Sequence, residues 1–435
     1  MIRDISGRSQ TAAFSASPGQ SSPSIRNPWR GLVLIVLSIV VGIVGWSGTV
    51  LTLPVAMICP LLWAKSPSRL VAAVVSGGYF LAASRGLPQG VATFYAADLS
   101  PGLLLWVMAS ACFVTVHALL WTRHPGKGRA VRYLAAAVLM GLPPFGIAGW
   151  AQPMTAAGVL FPGWGWWGFA ATAAGLAMMT SRYWLAAAVA LIGFWLWSAA
   201  TWTEPSLPDK WKGVDLELGQ SPGRDGSLDY HRGLIARVRE TAGDGRRVIA
   251  LPESALGFWT PTVARLWQEA LRGSDITVIA GAAVIDAAGY DNVMVAISAD
   301  EARILYRERM PVPVSMWQPW RAWTGQGGGA RAQLFANPVV ELDGTRIAPL
   351  ICYEQLILWP ALQSMLHSPD IIVATGNGWW TAGTSIVAIQ RASTVAWAKL
   401  FNRPLVTAFS KRCAKAPCNR PMNMEFSGHD IGTCK

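Results

Sequence analysis

The stretch PLICYEQLILWP, from Pro349 to Pro360, places a thiol and a carboxylate where an apolar run ends. The residues before Cys352 have the pattern of a buried strand, and the residues after Glu354 turn apolar again. Two interpretations fit Cys352. It is a small, inert core residue, as free cysteine often is, or it is a nucleophile at a strand-to-helix turn.

The rest of the second half alternates between strand and helix patterns, which predicts an α/β layered domain. The segment RRVIALPES predicts a buried strand that ends at Glu253. Active residues collect at the carboxyl ends of strands in such sheets, so Glu253 and Cys352 are expected to lie close together, with Glu253 as general base. The start of the helix after Cys352 would lower the pKa of the thiol. The alternative for Glu253 is a charge at a helix N-terminus.

The first half consists of apolar stretches separated by short basic segments. A membrane-spanning helix needs roughly 20 apolar residues, with shorter ones tolerated. We predict a membrane domain of about seven helices, at about 31–48, 50–64, 69–84, 102–121, 132–149, 160–179 and 183–200.

The basic residues of this half predict the orientation. They precede the first span and then fall between alternate spans, and loops rich in Lys and Arg stay in the cytoplasm. The polar, Ser-rich residues 1–30 are expected to form a disordered cytoplasmic tail. An odd number of spans in a bacterial inner membrane then places the C-terminal domain in the periplasm.

The composition excludes several functions. The chain is 52% hydrophobic, 14% charged and has a net charge of +12. Before Glu204 its only acids are Asp4 and Asp98, and the basic residues form short clusters between apolar runs. This pattern argues against direct nucleic-acid binding, which needs a continuous basic face. The six cysteines and five histidines lack the spacing of zinc ligands, so we predict no metal and no cofactor.

Three segments together resemble the nitrilase, or carbon–nitrogen hydrolase, superfamily: VIALPESAL (248–256), YRERMPVPVSMW (306–317) and PLICYEQ (349–355). With membrane spans ahead of them, they are most similar to the apolipoprotein N-acyltransferase branch. The chain up to about Phe409 also resembles a family of conjugal transfer proteins of Ti-type plasmids. The resemblance implies an αββα sandwich and a cysteine-dependent acyl transfer or amide hydrolysis in a membrane protein that serves conjugation.

The resemblance also implies roles for single residues and for partners. Glu253 matches the family's base and Cys352 its nucleophile, while Tyr353 and Glu354 match the residues that follow the nucleophile in the acyltransferase branch. The partners implied are membrane lipids, among them a phospholipid acyl donor, and other conjugal transfer proteins.

The third member of the family's catalytic set, a lysine, is absent. Glu308 occupies its position, and no lysine lies between Lys212 and Lys399. Arg307 and Arg309 could substitute for the lysine, but in a strand they would point away from the face that carries Glu308. The alternatives are a lysine-independent or arginine-assisted enzyme, and an inactive nitrilase-like scaffold that binds partners of the transfer machinery.

These patterns divide the chain into five parts. We predict a tail at 1–30, a membrane domain at 31–200, a linker at 201–213, a nitrilase-like domain at 214–409 and an atypical tail at 410–435. The last part has three cysteines and no strand periodicity. The nitrilase-like domain is therefore expected to be incomplete at its C-terminus. A divergent tail and a shifted reading frame both explain this ending.

Overall fold

A computed structural model describes residues 28–218, 226–243, 245–325 and 327–410. The predictions for the N-terminal tail up to residue 27 and for the cysteine-containing tail from residue 411 lie outside these ranges.

The first half is helical, because its many Ala and Leu residues favour helix and a few capping residues mark the starts. Ser68 is one such cap and accepts a hydrogen bond from the backbone N–H of Val71. Short 3₁₀ segments at Val50–Ile58, Phe145–Ala148 and Pro153–Ala156 connect the helices. The helices are α1 (Pro28–Gly45), α2 (Cys59–Lys65), α3 (Arg69–Ala83), α4 (Leu87–Tyr95), α5 (Leu99–Leu120), α6 (Lys127–Leu139), α7 (Ala157–Leu160), α8 (Gly165–Met179) and α9 (Trp184–Ala200).

Each of the seven predicted apolar stretches contains helix, but most of these helices are short or broken. Among the described residues, only α5 is both long and apolar enough to cross a membrane by itself. Helices α3 and α4, bent by 52° at their junction, would make a second span if they act together. The prediction of seven spans is thus not confirmed. Shorter apolar helices lie at Trp29–Gly45, Val50–Lys65 and Trp184–Ala200.

The second half alternates between strands and helices. Ser227 and Thr260 cap two of the helices by accepting hydrogen bonds from backbone N–H groups three residues later. The elements are β1 (Trp211–Gly213), α10 (Leu228–Ala242), β2 (Val248–Ala250), α11 (Pro261–Leu271), β3 (Thr277–Asp286), β4 (Gly289–Ile297), β5 (Ala302–Arg307), α12 (Trp320–Trp323), β6 (Val340–Leu342), β7 (Thr345–Ile351), α13 (Leu358–Leu366), β8 (Ile371–Asn377), α14 (Ile386–Phe401) and β9 (Leu405–Ser410).

The strands form two sheets packed face to face. The first has the order β1-β2-β3-β4-β5 and the second the order β6-β7-β8-β9. Ile279 and Met294 of the first sheet share a buried apolar cluster with Ile351 and Val373 of the second. Helices α10 and α11 contribute to the cluster on the other face of the first sheet, and α13 and α14 to that of the second. The four-layer αββα sandwich implied by the resemblance is confirmed.

The helical half packs on the outer face of α13 and α14. Its apolar core includes Leu358 of α13 and Trp397 of α14. The two halves approach closely at Gly158 of α7, where an added Cβ would lie 1.8 Å from the carbonyl oxygen of Ala396. Only glycine therefore permits this contact. The two halves share one interface, and the site described next opens toward it.

The linker and the first strand differ from the prediction. The segment GVDLEL at 213–218 has the alternating pattern of a strand, but the strand occupies Trp211–Gly213, inside the predicted linker 201–213. Leu216 keeps only an isolated bridge to Ser410. Trp211 fills the space between the two sheets, so burial of one aromatic side chain outweighs the local preference of the Val and Leu residues that follow.

Candidate active site

Cys352 follows β7 directly and opens a 3₁₀ turn, Cys352–Gln355. Its backbone has φ of 43°, a left-handed conformation that residues other than glycine rarely adopt. Such strain persists where the surroundings impose it, and it is common at functional sites. Two other residues, Ser254 and Val314, line the same cavity as Cys352 and have φ of 60° and 70°.

The environment of the thiol keeps it protonated. Burial raises the pKa of Cys352 well above its ordinary value, and the nearby carboxyl groups of Glu253 and Glu308 raise it further. The prediction that the following helix start would lower this pKa was wrong, because desolvation and two nearby carboxylates outweigh the backbone dipoles of one short turn. A base must therefore remove the proton before Cys352 can act as a nucleophile.

Glu253 lies three residues beyond β2, against β3. Gly281 of β3 makes this possible, because a Cβ there would lie 2.4 Å from the Cα atom of Glu253. Burial raises the pKa of Glu253 to about 7, although hydrogen bonding by Asn292 and the nearby Cys352 thiol lower it. A carboxylate with a pKa near 7 matches the requirement for a general base at neutral pH.

Glu308 is linked to Glu253 through the side chain of Asn292. The side-chain nitrogen of Asn292 donates to Oε1 of Glu253 and to Oε2 of Glu308, each at 2.8 Å. The backbone N–H of Glu308 donates in turn to the carbonyl oxygen of Asn292 at 2.9 Å. Burial and the charges of Glu253 and Glu354 raise the pKa of Glu308 well above its ordinary value. The two N–H groups of one amide thus join two buried carboxyl groups.

The other oxygen of each carboxyl group makes no regular hydrogen bond. Oε2 of Glu253 and Oε1 of Glu308 are both buried without a partner at hydrogen-bonding geometry within the described residues. The Cys352 thiol nevertheless lies close enough to Glu253 to affect its pKa. Buried polar atoms without partners are uncommon in native proteins, so their occurrence at this point calls for a chemical explanation.

Gln390 of α14 supplies a further polar group at the thiol. Its side-chain nitrogen donates to Sγ of Cys352 at 3.6 Å, and its side-chain oxygen is buried without a partner. A primary amide at the sulfur atom can hold the thiol in position or donate to an oxygen that forms on an attacked carbonyl group.

Glu354 is placed differently from the other two glutamates. One of its oxygens accepts hydrogen bonds from the Tyr306 hydroxyl at 2.6 Å and from the backbone N–H of Arg309 at 2.7 Å. The other accepts from the backbone N–H of Ile351 at 2.7 Å. The guanidinium of Arg309 lies 3.7 Å away. Glu354 therefore fixes the turn that carries Cys352.

Neither candidate arginine lines the cavity. The strand β5 ends at Arg307, so the alternation expected for residues 307–309 does not extend through Glu308 and Arg309. Arg307 forms an ion pair with Asp291. The fully buried Arg309 donates to Tyr306, Pro349, Pro360, Gln363 and Ser364.

Tyr353 connects the nucleophile turn to the helical half. Its hydroxyl donates to the carbonyl oxygen of Ile147 at 2.7 Å, and its ring lines the cavity. Burial raises the pKa of this hydroxyl, so the group stays neutral and acts as a donor.

A cavity of about 740 Å³ joins the thiol to the helical half. No Lys, Arg or His occurs among the described residues that line it. The polar groups near the thiol are supplied by Glu253, Tyr290, Asn292, Asn377 and Gln390. The remaining wall is mainly apolar and aromatic and includes Val91, Phe94, Leu105, Met108, Trp150, Trp379, Trp380 and Ile389.

The structure brings Glu253, Cys352 and Glu308 together, and it directs Arg307 and Arg309 elsewhere. Two polar residues of the site, Asn292 and Gln390, were missed by sequence reasoning. Asn292 had a signal, because asparagine is depleted in strands and this one stands directly before the apolar run of β4. In the part of the chain that the structure describes, no group of three His, Cys, Asp or Glu side chains is arranged to hold a metal ion.

Comparison with known proteins gives a matching family and curated relatives. The family model "Carbon-nitrogen hydrolase" matches residues 81–399. A protein of Agrobacterium fabrum described as "Conjugal transfer protein TraB" is 72% identical, over 94% of this chain and 100% of that protein. A "Probable conjugal transfer protein TraB" of Sinorhizobium fredii is 64% identical, over 87% of this chain and 97% of that protein.

Among solved structures, the chain is similar to an amidase of Nesterenkonia AN1 from the nitrilase superfamily. A cysteine-to-alanine variant of that amidase is 11% identical, with a TM-score of 0.35, over 49% of this chain and 79% of its own. The amidase after removal of its purification tag is 13% identical, with a TM-score of 0.33, over 47% and 78%. Similarity of this size carries no argument about the site.

Proposed function

Because the chain belongs to the carbon–nitrogen hydrolase family, we propose that it transfers an acyl group, or hydrolyses an amide, through Cys352 and Glu253 in the service of plasmid conjugal transfer. The single observation that supports this most is that a buried thiol and a carboxylate with a pKa of about 7 share one cavity. The role in conjugation rests on the two TraB relatives.

The reaction begins with a proton transfer. Glu253 takes the thiol proton while Sγ of Cys352 attacks the carbonyl carbon of an ester or amide. The leaving alcohol or amine then takes that proton from Glu253, and an acyl-thioester remains on Cys352. In the second half, Glu253 removes a proton from an incoming amine or water, which attacks the thioester, and the thiol is regenerated.

The cavity favours an apolar acyl group. Most of its wall is aliphatic or aromatic, and it extends from the thiol toward α4 and α5 of the helical half. An elongated hydrocarbon would bury its surface there at about 25 cal/mol per Å². The acyl donor we propose is a phospholipid, and the acceptor is an amine of another protein of the transfer machinery.

We place the protein in the bacterial inner membrane. Large apolar side chains of α5 and α9 are exposed, such as Leu104 (62%), Val189 (71%) and Leu196 (63%). Exposed apolar surface of this extent suits contact with lipid. The proposed arrangement has a cytoplasmic N-terminus, several spans and a periplasmic nitrilase-like domain, so that the cavity meets the outer leaflet.

A second candidate is an inactive scaffold that binds other transfer proteins. The observation that favours it is Glu308, an acid where the resemblance implies a lysine, near a cavity whose described wall lacks cations. A positive charge there would stabilise the oxyanion, and loss of one such donor costs roughly 10²–10³ in rate. The scaffold role requires no turnover at Cys352.

One experiment separates the two candidates. Conjugation frequency is measured in a strain that lacks the gene and is complemented with the wild-type protein, Cys352→Ala or Cys112→Ala, at equal protein level. If the protein is an enzyme, Cys352→Ala is expected to abolish conjugal transfer and Cys112→Ala to leave it unchanged. Transfer at the wild-type frequency with Cys352→Ala would support the scaffold and contradict the catalytic proposal.

A further inference from the structure

The site contains more buried carboxyl groups than buried cations among the described residues. Glu253, Glu308 and Glu354 are each at most 4% exposed, and Arg309 is the buried guanidinium beside them. Arg309 lies against Glu354. The remaining groups that face Glu308 are Glu253, Glu354, Tyr290 and Cys352, none of which carries a positive charge. Glu253 and Glu308 therefore have no counter-ion among the described residues.

Two like charges in such a place would repel strongly. The interaction of two unit charges about 4 Å apart is already about 4 kcal/mol at an effective dielectric constant of 20. Sharing a site raises the pKa of one carboxyl group of such a pair, so that one of them keeps its proton. One amide nitrogen can donate to both groups whether or not each is charged.

The geometry identifies which group keeps the proton. Glu253 lines the cavity, whereas Glu308 is 1% exposed and is not among the described lining residues. Desolvation of a charge at Glu308 is thus the greater cost. Oε2 of Glu308 accepts from Asn292, so the proton belongs on Oε1, the oxygen without a partner.

We propose that Glu308 is a positioning residue: as a neutral carboxylic acid it holds the amide of Asn292, and Asn292 holds the Glu253 carboxylate beside the Cys352 thiol. A lysine at this position would orient the base by its charge. Here an acid–amide–carboxylate chain takes over that orienting role and leaves the stabilisation of the oxyanion to other donors. The inference rests on the proposed roles of Glu253 and Cys352.

Alkylation of Cys352 by iodoacetamide tests the inference without an acyl donor. The full-length protein in detergent is treated between pH 5.5 and 9, and the peptide that contains Cys352 is quantified by mass spectrometry. The alkylation rate of the wild type is expected to rise as Glu253 ionises, with an inflection near pH 7. Glu301→Gln, an exposed substitution, serves as the matched control.

Two substitutions at 308 give opposite expectations. Glu308→Leu removes the acceptor of the Asn292 N–H, and misplacement of the base is expected to lower the rate roughly 10²-fold. Glu308→Gln keeps a neutral acceptor for the Asn292 N–H, so its alkylation rate is expected to match that of the wild type. The inflection of its pH profile is expected to stay within about one pH unit of the wild-type value.

Two outcomes would overturn the proposal. A downward shift of the inflection by more than about one pH unit in Glu308→Gln would show that Glu308 is ionised in the wild type. A wild-type rate and inflection in Glu308→Leu, with the fold intact by thermal unfolding, would show that it positions nothing. The alkylation rate and its inflection can be measured even if the protein transfers no acyl group. The positioning role of Glu308 and the proposed acyl transfer therefore fail separately.

Discussion

Two groups of buried glutamates flank Cys352, and they are built in opposite ways. Glu354 accepts hydrogen bonds from Tyr306, Arg309, Met310 and Ile351 and lies beside a guanidinium. Glu253 and Glu308 share a single amide nitrogen, have no counter-ion among the described residues and each leave one oxygen without a partner. All three side chains are buried to a similar degree.

The difference separates a structural role from a chemical one. A buried charge with all its hydrogen bonds made holds neighbouring elements in place, and removal of any partner is costly. A buried carboxylate that lacks partners is destabilising, and its free oxygen is available to take a proton. The first group fixes the turn at Cys352, and the role proposed for Glu253 in the second is to supply the reactivity.

The largest expected effect is on the reactivity of the thiol. Glu253→Gln removes the base and keeps the shape, so alkylation of Cys352 at pH 8 is expected to slow by roughly 10²–10⁴-fold. Glu354→Gln is expected to leave this rate within about tenfold in the molecules that remain folded. Rates are measured on the Cys352 peptide; equal losses in the two variants would contradict the division of roles.

The next effect is on stability. Arg309→Met leaves Glu354 without its cation in a buried place, and the free energy of unfolding is expected to fall by about 3–5 kcal/mol. The matched control is Arg303→Met at an exposed ion pair with Glu301, where a loss of at most about 1 kcal/mol is expected. Chemical denaturation in detergent measures both, and a similar loss in the two variants would argue against a structural role for Arg309.

The pH dependence of stability gives a third test. The pKa of Glu253 is about 7 in the fold and ordinarily 4.5, so the unfolded chain releases this proton first as the pH rises. Stability contributed by the group is complete below about pH 4.5 and is lost as the pH rises through 7.

This loss amounts to about 3 kcal/mol between pH 4.5 and 8. Glu253→Gln is expected to remove this part of the dependence of the unfolding free energy on pH. Denaturation curves of both proteins at pH 5 and pH 8 measure it. Identical slopes in wild type and variant would show that burial does not perturb Glu253.

The smallest expected effect is at the contact with the helical half. Tyr353→Phe removes a hydrogen bond to the carbonyl oxygen of Ile147, and a loss of about 1 kcal/mol in stability is expected, with little change in the alkylation rate. The control is Tyr183→Phe, at an exposed hydroxyl. A large drop in reactivity would instead place Tyr353 in the chemistry.

The sequence predicted the layered fold and the meeting of Glu253 with Cys352, because alternating patterns and strand ends are local features of the chain. It did not predict the neutral state of the thiol, which depends on the depth of burial and on two carboxyl groups distant in sequence. The sequence also did not predict the direction of the Arg309 side chain, because β5 ends two residues earlier and the turn carries that side chain toward α13.

The most direct test of the central claim is the mass of the Cys352 peptide after the purified full-length protein has been incubated with phospholipid vesicles. The claim is that Cys352 and Glu253 work together as nucleophile and base. The expected result is an acyl adduct on Cys352 in the wild type, cleaved by neutral hydroxylamine and greatly reduced in Glu253→Gln. The claim would be contradicted if the Cys352 peptide stayed unmodified although iodoacetamide still labels Cys352 in the same protein.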